Sequence, residues 1–212
     1  MSSPATIAGS DGRPRCRWCA AAPGFEAYHD REWGFPVADD QRLFEKLCLE
    51  GFQSGLSWRT ILDKRPNFRR AFEGFDFHRV ARFGEQDVTR LLQDEGIVRH
   101  RGKIEAVINN ARCAVELQAQ YGSLAAYFWQ FEADPAVAAA PQTASVSPES
   151  AALSKDLKKR GWKFVGPTTV YAFMQAMGLV NDHAADCVTG AEVAKARRAF
   201  QRPARAARRG PA

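Results

Sequence analysis

The sequence predicts a mainly α-helical protein, and two observations carry that expectation. Apolar residues recur at three- and four-residue spacings behind capping residues, as Leu43, Phe44, Leu47 and Cys48 do after Asp39-Asp40. Long stretches of alternating apolar and polar residues are absent, as is any repeat of about 20–50 residues, so neither large sheets nor a solenoid are expected. With 212 residues, 45% hydrophobic and 25% charged, the chain can bury one large core or two joined lobes.

Taken in order, residues 1–14 read as a loose tail and residues 15–190 as the helical domain. The first strong helix starts at Asp39-Asp40 and stops near Gly51. SWRTILDKRPNFRRAF is helical but broken around Pro66, because proline removes a donor and crowds the preceding turn. EQDVTRLLQDEG is a short amphipathic helix ending at Gly96, and KIEAVINNARCAVELQAQYG a longer one ending at Gly122. SLAAYFWQF is a short apolar helix, and the low-complexity segment 134–148 is a surface loop. Ser147 with Pro148 supplies a cap and a first-turn proline for a helix running to Gly161, and GPTTVYAFMQAMG forms the last core helix, closed by Gly178.

Charge narrows the possible partners less than it first suggests. Residues 191–212 carry seven basic residues and one acidic one, which is the whole net charge of +6. This Pro/Ala/Arg stretch is expected to be a disordered basic tail, and the pI says little about the folded body. No apolar run nears the roughly 20 residues of a membrane span, and the opening MSSPATIAGSDGRPR has no apolar leader. Five irregularly spaced cysteines argue for a reducing compartment, so a cytoplasmic location is expected.

The residue types best suited to metal binding lie at the two ends of the domain. His183 and Cys187 are one turn apart if NDHAADCV is helical. Near the N-terminus stand Cys16, Cys19 and His29, so two ligand sets are open: Cys16, Cys19, His183 and Cys187, or Cys16, His29, His183 and Cys187. Either gives four N/S ligands, suited to tetrahedral zinc with no position left for catalysis. Cys48 and Cys113 fall in apolar helical patterns and read as small buried hydrophobes. Glu50 sits at the edge of the 43–51 apolar stripe, where it is either a helix-end carboxylate in water or a partly desolvated pocket acid.

AYHDREWGFP, LFEKLCLEGFQSGLSW, GIVRHRGKIEAVINNA, ALSKDLKKRGWKFVGPTT and FMQAMGLVNDH, in this order over about residues 15–188, resemble the DNA-3-methyladenine glycosylase I family. The resemblance implies a two-lobed helix-hairpin-helix DNA glycosylase fold with a base pocket between the lobes. It implies a structural zinc on Cys16, His29, His183 and Cys187, with Cys19 outside the pattern, joining the N- and C-terminal regions. It places the pocket carboxylate, the expected catalytic residue, at Glu50, and pocket aromatics at Tyr28 and Trp58. Trp18 and Trp33 are candidate further walls, since a flipped base is held between flat side chains.

GIVRHRGK is the candidate hairpin for DNA. Gly96 and Gly102 permit a tight turn, and Arg99, Arg101 and Lys103 add charge for sequence-independent phosphate contact. Many relatives in the wider superfamily carry an aspartate about twenty residues past the hairpin, whereas no aspartate lies between Lys103 and Ala133. The implied activity is excision of 3-methyladenine from alkylated double-stranded DNA by a monofunctional, monomeric enzyme without a nucleotide cofactor. The alternatives are a lyase using Lys103 as Schiff-base nucleophile and a non-enzymatic zinc-stapled DNA-binding module.

Overall fold

A computed structural model of the chain describes residues 5–134 and 140–204. The described elements are a two-stranded hairpin, β1 (Thr6–Ala8) and β2 (Pro14–Cys16), followed by helices α1 (Phe25–Arg31), α2 (Asp40–Gln53), α3 (Trp58–Ala71), α4 (Phe77–Val80) and α5 (Glu85–Gln93). Then come α6 (Arg101–Tyr121), α7 (Leu124–Phe128), α8 (Pro148–Lys159), α9 (Pro167–Ala176) and α10 (Val188–Ala199). The mainly helical class is as expected, and none of the described helices is long and apolar enough to cross a membrane.

Helix α2 is the axis of the core. Asp39 caps it by accepting from the Arg42 N–H at 2.8 Å, and every residue from Leu43 to Phe52 is buried. Burial on all sides follows because α3, α6, α7 and α9 each pack against it. Phe44, Phe52, Phe68, Phe72 and Phe75 interlock beside it, with the Phe72 and Phe75 rings stacked 5.4 Å apart. Periodicity gave no element for residues 72–83, where short turns and α4 bury Phe75, Phe77 and Phe83.

At Gly178, φ is +80°, and a Cβ there would lie 2.6 Å from the Pro36 backbone. Only glycine lets residues 34–37 lie against the end of α9, where Gly34 donates to the Ala176 carbonyl at 3.2 Å and Val37 to the Met177 carbonyl at 3.2 Å.

Four sequence expectations need correction. Within the expected 1–14 tail, residues 6–14 belong to the hairpin: Arg15 is buried and holds it through Asp11 at 2.5 Å and Asp30 at 2.9 Å. Pro66 lies inside an unbroken α3, because burial of Ile61, Phe68 and Ala71 outweighs the lost backbone bond. Residues 183–187 are a turn, not a helix, with the Cys187 N–H donating to the Ala184 carbonyl at 2.9 Å.

The basic tail does not begin at 191. Helix α10 runs through Ala199 and buries Val193 and Arg197, whose guanidinium donates to the Gly178 carbonyl at 2.7 Å and to Glu132 at 2.8 Å. Counting charge overlooked that an arginine stem can pack while its head is paired. The remainder of the proposed tail, residues 205–212, lies outside the described residues, as do residues 135–139 of the expected loop.

Candidate active site and metal centre

A cavity of about 310 Å³ opens where the first 33 residues, α2 and α9 converge. Trp18, Tyr28 and Trp33 wall it from the N-terminal side, and Lys46, Glu50 and Gln53 come from α2. Trp58 stands at the start of α3, while Gln175 of α9 and Asp182 close the remaining side. The structure therefore brings Glu50 together with all four aromatics named from the sequence.

Glu50 is a buried carboxylate, and its partner is one turn earlier on the same helix. Lys46 Nζ lies 2.6 Å from Glu50 Oε1, with the two side chains 7% and 5% exposed. The same ammonium donates to the Tyr28 hydroxyl at 2.8 Å and sits 3.4 Å from the centre of the Trp58 ring. Burial pushes the Lys46 pKa down, while Glu50 opposes that shift. Burial, assisted by Glu50, pushes the Tyr28 hydroxyl well up, so it keeps its proton and can donate it while accepting from Lys46. The Tyr28 and Trp58 rings lie 5.5 Å apart at 43°. Trp58 Nε1 is buried and has no acceptor among the described residues.

Sequence reasoning missed Lys46, Gln175 and Asp182. The Lys46–Glu50 spacing of four was the available signal, although it ordinarily denotes a solvated helix-face pair. Asp182 accepts from the Gln142 N–H at 2.9 Å and from Gln175 Nε2 at 2.6 Å, fixing the amide side chain on the cavity wall.

Behind the aromatic wall, Cys16, His29, His183 and Cys187 are all buried, and their ligand atoms lie within 4.8 Å of one another. Cys16 Sγ and Cys187 Sγ are each 3.5 Å from His183 Nδ1, and Cys187 Sγ is 3.5 Å from His29 Nε2. The other imidazole nitrogens are held in place: His29 Nδ1 is 2.7 Å from Asp30 and His183 Nε2 is 3.2 Å from the Trp33 carbonyl. These outer bonds turn one nitrogen of each ring toward the sulfurs, as ligand histidines require. Contact with Cys187 and burial push the Cys16 thiol far up, while Cys16 and the two histidines hold Cys187 far down.

The group can hold a metal ion, and Cys19, also buried, is not part of it. Trp18 packs 5.3 Å from the His29 ring and Trp33 4.6 Å from the His183 ring, so the ligand shell and the cavity share a wall. Gly34 has φ of +90°, and a Cβ there would meet His183 Nε2 at 2.8 Å.

The candidate hairpin does not line the cavity; it lies between α5 and α6, which pack on each other. Neither Gly96 nor Gly102 has a positive φ; a Cβ on Gly96 would lie 2.9 Å from Asp94 Oδ1 and 3.0 Å from the Asn67 side chain. Gly102 lies in the first turn of α6, which His100 caps by accepting from the Lys103 N–H at 3.2 Å. Arg99 pairs with Glu95 at 3.5 Å, and Arg101 with Glu85 at 2.9 Å and Glu105 at 3.1 Å. Lys103 is buried, its Nζ donating to the Phe52 carbonyl at 2.9 Å and the Ser54 carbonyl at 2.5 Å. It ties the end of α2 to the start of α6.

Beside the cavity, between Gln53 and Trp58 of its wall, Leu56 is 42% exposed. Phe164, 40% exposed, lies near the same end of α2, its Cβ 3.4 Å from where a Cβ on Gly51 would be. A pocket walled by aromatic rings with a buried acid inside it defines a helical enzyme that handles extruded nucleobases. The chain belongs to the methyladenine glycosylase family, whose model matches residues 18–190.

Among its relatives is DNA-3-methyladenine glycosylase 1 of Escherichia coli (strain K12), 50% identical over 82% of this chain and 95% of that protein. DNA-3-methyladenine glycosylase of Haemophilus influenzae is 45% identical over 82% of this chain and 96% of its own length. The crystal structure of a 3-methyladenine DNA glycosylase I superposes with a TM-score of 0.77 at 50% identity, covering 82% of this chain and 98% of the other. A structure concerned with 3-methyladenine recognition by the Staphylococcus aureus enzyme matches with a TM-score of 0.74 at 36% identity, over 80% and 92% of the two chains.

Proposed function

We propose that this chain is a monofunctional DNA N-glycosylase that flips 3-methyladenine out of alkylated double-stranded DNA and hydrolyses its bond to the sugar, leaving an abasic site. The observation that carries the reading is the buried Glu50 carboxylate in an aromatic cavity of about 310 Å³. That volume suits a single planar base.

Adenine methylated at N3 in DNA carries positive charge on the ring, so the glycosidic bond is already weakened and the base departs neutral. The protein's task is to hold the base and to meet positive charge as it develops on the sugar. Glu50 supplies the acceptor and the negative charge. Tyr28 and Trp58 supply flat faces. Trp18 and Trp33 close the other side. Outside the cavity, Leu56 and Phe164 are apolar side chains able to fill the gap an extruded base leaves.

Phosphate contact falls to the first turn of α6 around Gly102 and to Arg99 and Arg101, whose ion pairs lie at the surface and exchange readily for phosphate. Lys103, buried and donating to two carbonyls, belongs to the scaffold in this reading, which weighs against the Schiff-base alternative.

Zinc is the metal the Cys/His set fits, since two sulfurs and two imidazoles suit a closed tetrahedral site. Bound there, it supplies cross-linking and not chemistry. The enzyme is expected to act as a monomer, without a nucleotide cofactor. Chromatography of bases freed from methylated duplex tests the reading: 3-methyladenine should dominate. Release of no base would leave only a DNA-binding role.

A further inference from the structure

In the proposed reaction, the C1′–N9 bond breaks with its electron pair retained by the base, which becomes neutral. Water adds to C1′ and its surplus proton goes to solvent. Positive charge thus passes from the base ring to the sugar. The sugar stays attached to the DNA backbone at the cavity mouth, while the base sits on the buried floor.

Lys46 is fixed on that floor. Its side chain is 7% exposed, and Glu50 Oε1 at 2.6 Å, the Tyr28 hydroxyl at 2.8 Å and the Trp58 ring at 3.4 Å hold the ammonium from three sides. The other charged groups nearby include Arg65 and Glu32, paired at 2.6 Å behind Tyr28, Arg69 and Glu45, paired at 2.9 Å, Arg42 on the same side, and Asp182 across the cavity. A pocket built only to capture a cation would leave Glu50 uncompensated. This one places a second cation against it, so the floor is close to neutral before substrate arrives. Lys46 also lines the space behind Tyr28 and Trp58, which Glu50 does not, so the ammonium is the deeper of the two charges. Glu50 faces the charge on base and sugar alike, whereas the ammonium's repulsion falls mainly on the base and fades as the charge moves outward to the sugar.

Resting on the functional reading above, we propose that Lys46 trades affinity for rate: it weakens binding of the cationic nucleotide and favours its conversion to a neutral base. An interaction that is less unfavourable in the transition state than in the bound ground state accelerates the bond-breaking step.

The test is single-turnover excision of 3-methyladenine from methylated duplex by the full-length protein, with rate and half-saturation measured separately. Lys46→Met should bind the lesion more tightly and cleave it more slowly, each on the order of tenfold, the size expected for one partly screened charge. Lys46→Gln, which keeps a donor for Glu50 without the charge, should show the same split, and covers the event that the Met variant fails to fold. Lys46→Arg, which keeps the charge, should not show this opposed shift of tighter binding with slower cleavage. If the neutral variants lose affinity and rate together, Lys46 merely props Glu50 and the proposal falls; unchanged affinity and rate overturn it equally. A parent protein that releases no 3-methyladenine refutes the functional reading itself, before any variant is compared.

Discussion

Glu50 is the residue on which the chemistry depends most directly. Glu50→Gln preserves volume but removes the charge and turns one acceptor into a donor. Affinity for free 3-methyladenine should fall by about 1–3 kcal/mol, as loss of a charged acceptor does. Excision should drop by at least the same factor, and binding to undamaged duplex should hardly move. Titration of free base and single-turnover excision on one preparation check this; parental values for both would return Glu50 to a structural role.

The residue scale also shows what a sequence conceals. Glu50, Tyr28 and Trp58 were nameable beforehand through the family resemblance, with Trp18 and Trp33 as further candidates, because an acid at the edge of an apolar stripe or a single aromatic reads as readily as a helix-end or core residue. Lys46 was not, since a lysine four residues before a glutamate looks the same in water as in a cavity. Arg101 and Lys103 show the converse. Their charge was legible, but the partners that engage them, Glu85 and the carbonyls of Phe52 and Ser54, are far away in the chain.

At the scale of elements, α1 and α3 are tied by Arg65, whose two nitrogens donate to the Glu32 carboxylate at 2.6 and 2.8 Å, behind the Tyr28 wall. Burial pushes the Glu32 pKa up, but the bonds from Arg65 prevail and it ends below its ordinary value. A carboxylate lowered in the folded state adds stability that is fully present above its unfolded pKa and is lost as pH falls through the folded one. Glu32→Gln should therefore be less stable than the parent at pH 7, and the gap should shrink as pH drops below about 4.5. Denaturant melts of both proteins across that range would show it; a gap constant with pH would deny the pair its role.

The ends of the chain give a second prediction at this scale. Cutting after residue 190 removes Val193 and Arg197 and strands Glu132, so Tm should fall by roughly 5–10 °C, as loss of a few kcal/mol does at this size. Cutting after residue 204 should leave Tm within about 1 °C of the parent. Most helix starts were legible from capping residues such as Asp39 and Ser147. The hairpin, the unbroken α3 and α10 were not, because long-range contacts decide them: Arg15 with Asp30, the packed face of α3, and Arg197 with Glu132.

For the molecule as a whole, two properties follow from where charge and ligands sit. Arg205, Arg208 and Arg209 lie beyond residue 204, whereas Arg197 and Arg202 are spent on Glu132. Removal of residues 205–212 should flatten the salt dependence of undamaged-duplex binding by up to about 3 in logarithmic slope. An unaltered slope would assign the electrostatics to the folded surface. Cys16→Ala or His183→Ala should abolish metal binding, as read by elemental analysis, and lower Tm more than the excision rate at a permissive temperature. A variant melting like its parent would show that the ligands do not support the fold.

The four-ligand cluster also makes the molecule a closed ring for mechanical purposes. With a metal in place, tension on the two chain ends meets metal–sulfur and metal–nitrogen bonds between Cys16, His29, His183 and Cys187 before any load reaches the helices between them. Only the segments outside those residues can pay out. Stretched by its termini, the loaded protein should resist as one link and then give way in a single long extension; stripped of metal, it should unravel inward from both ends at lower force.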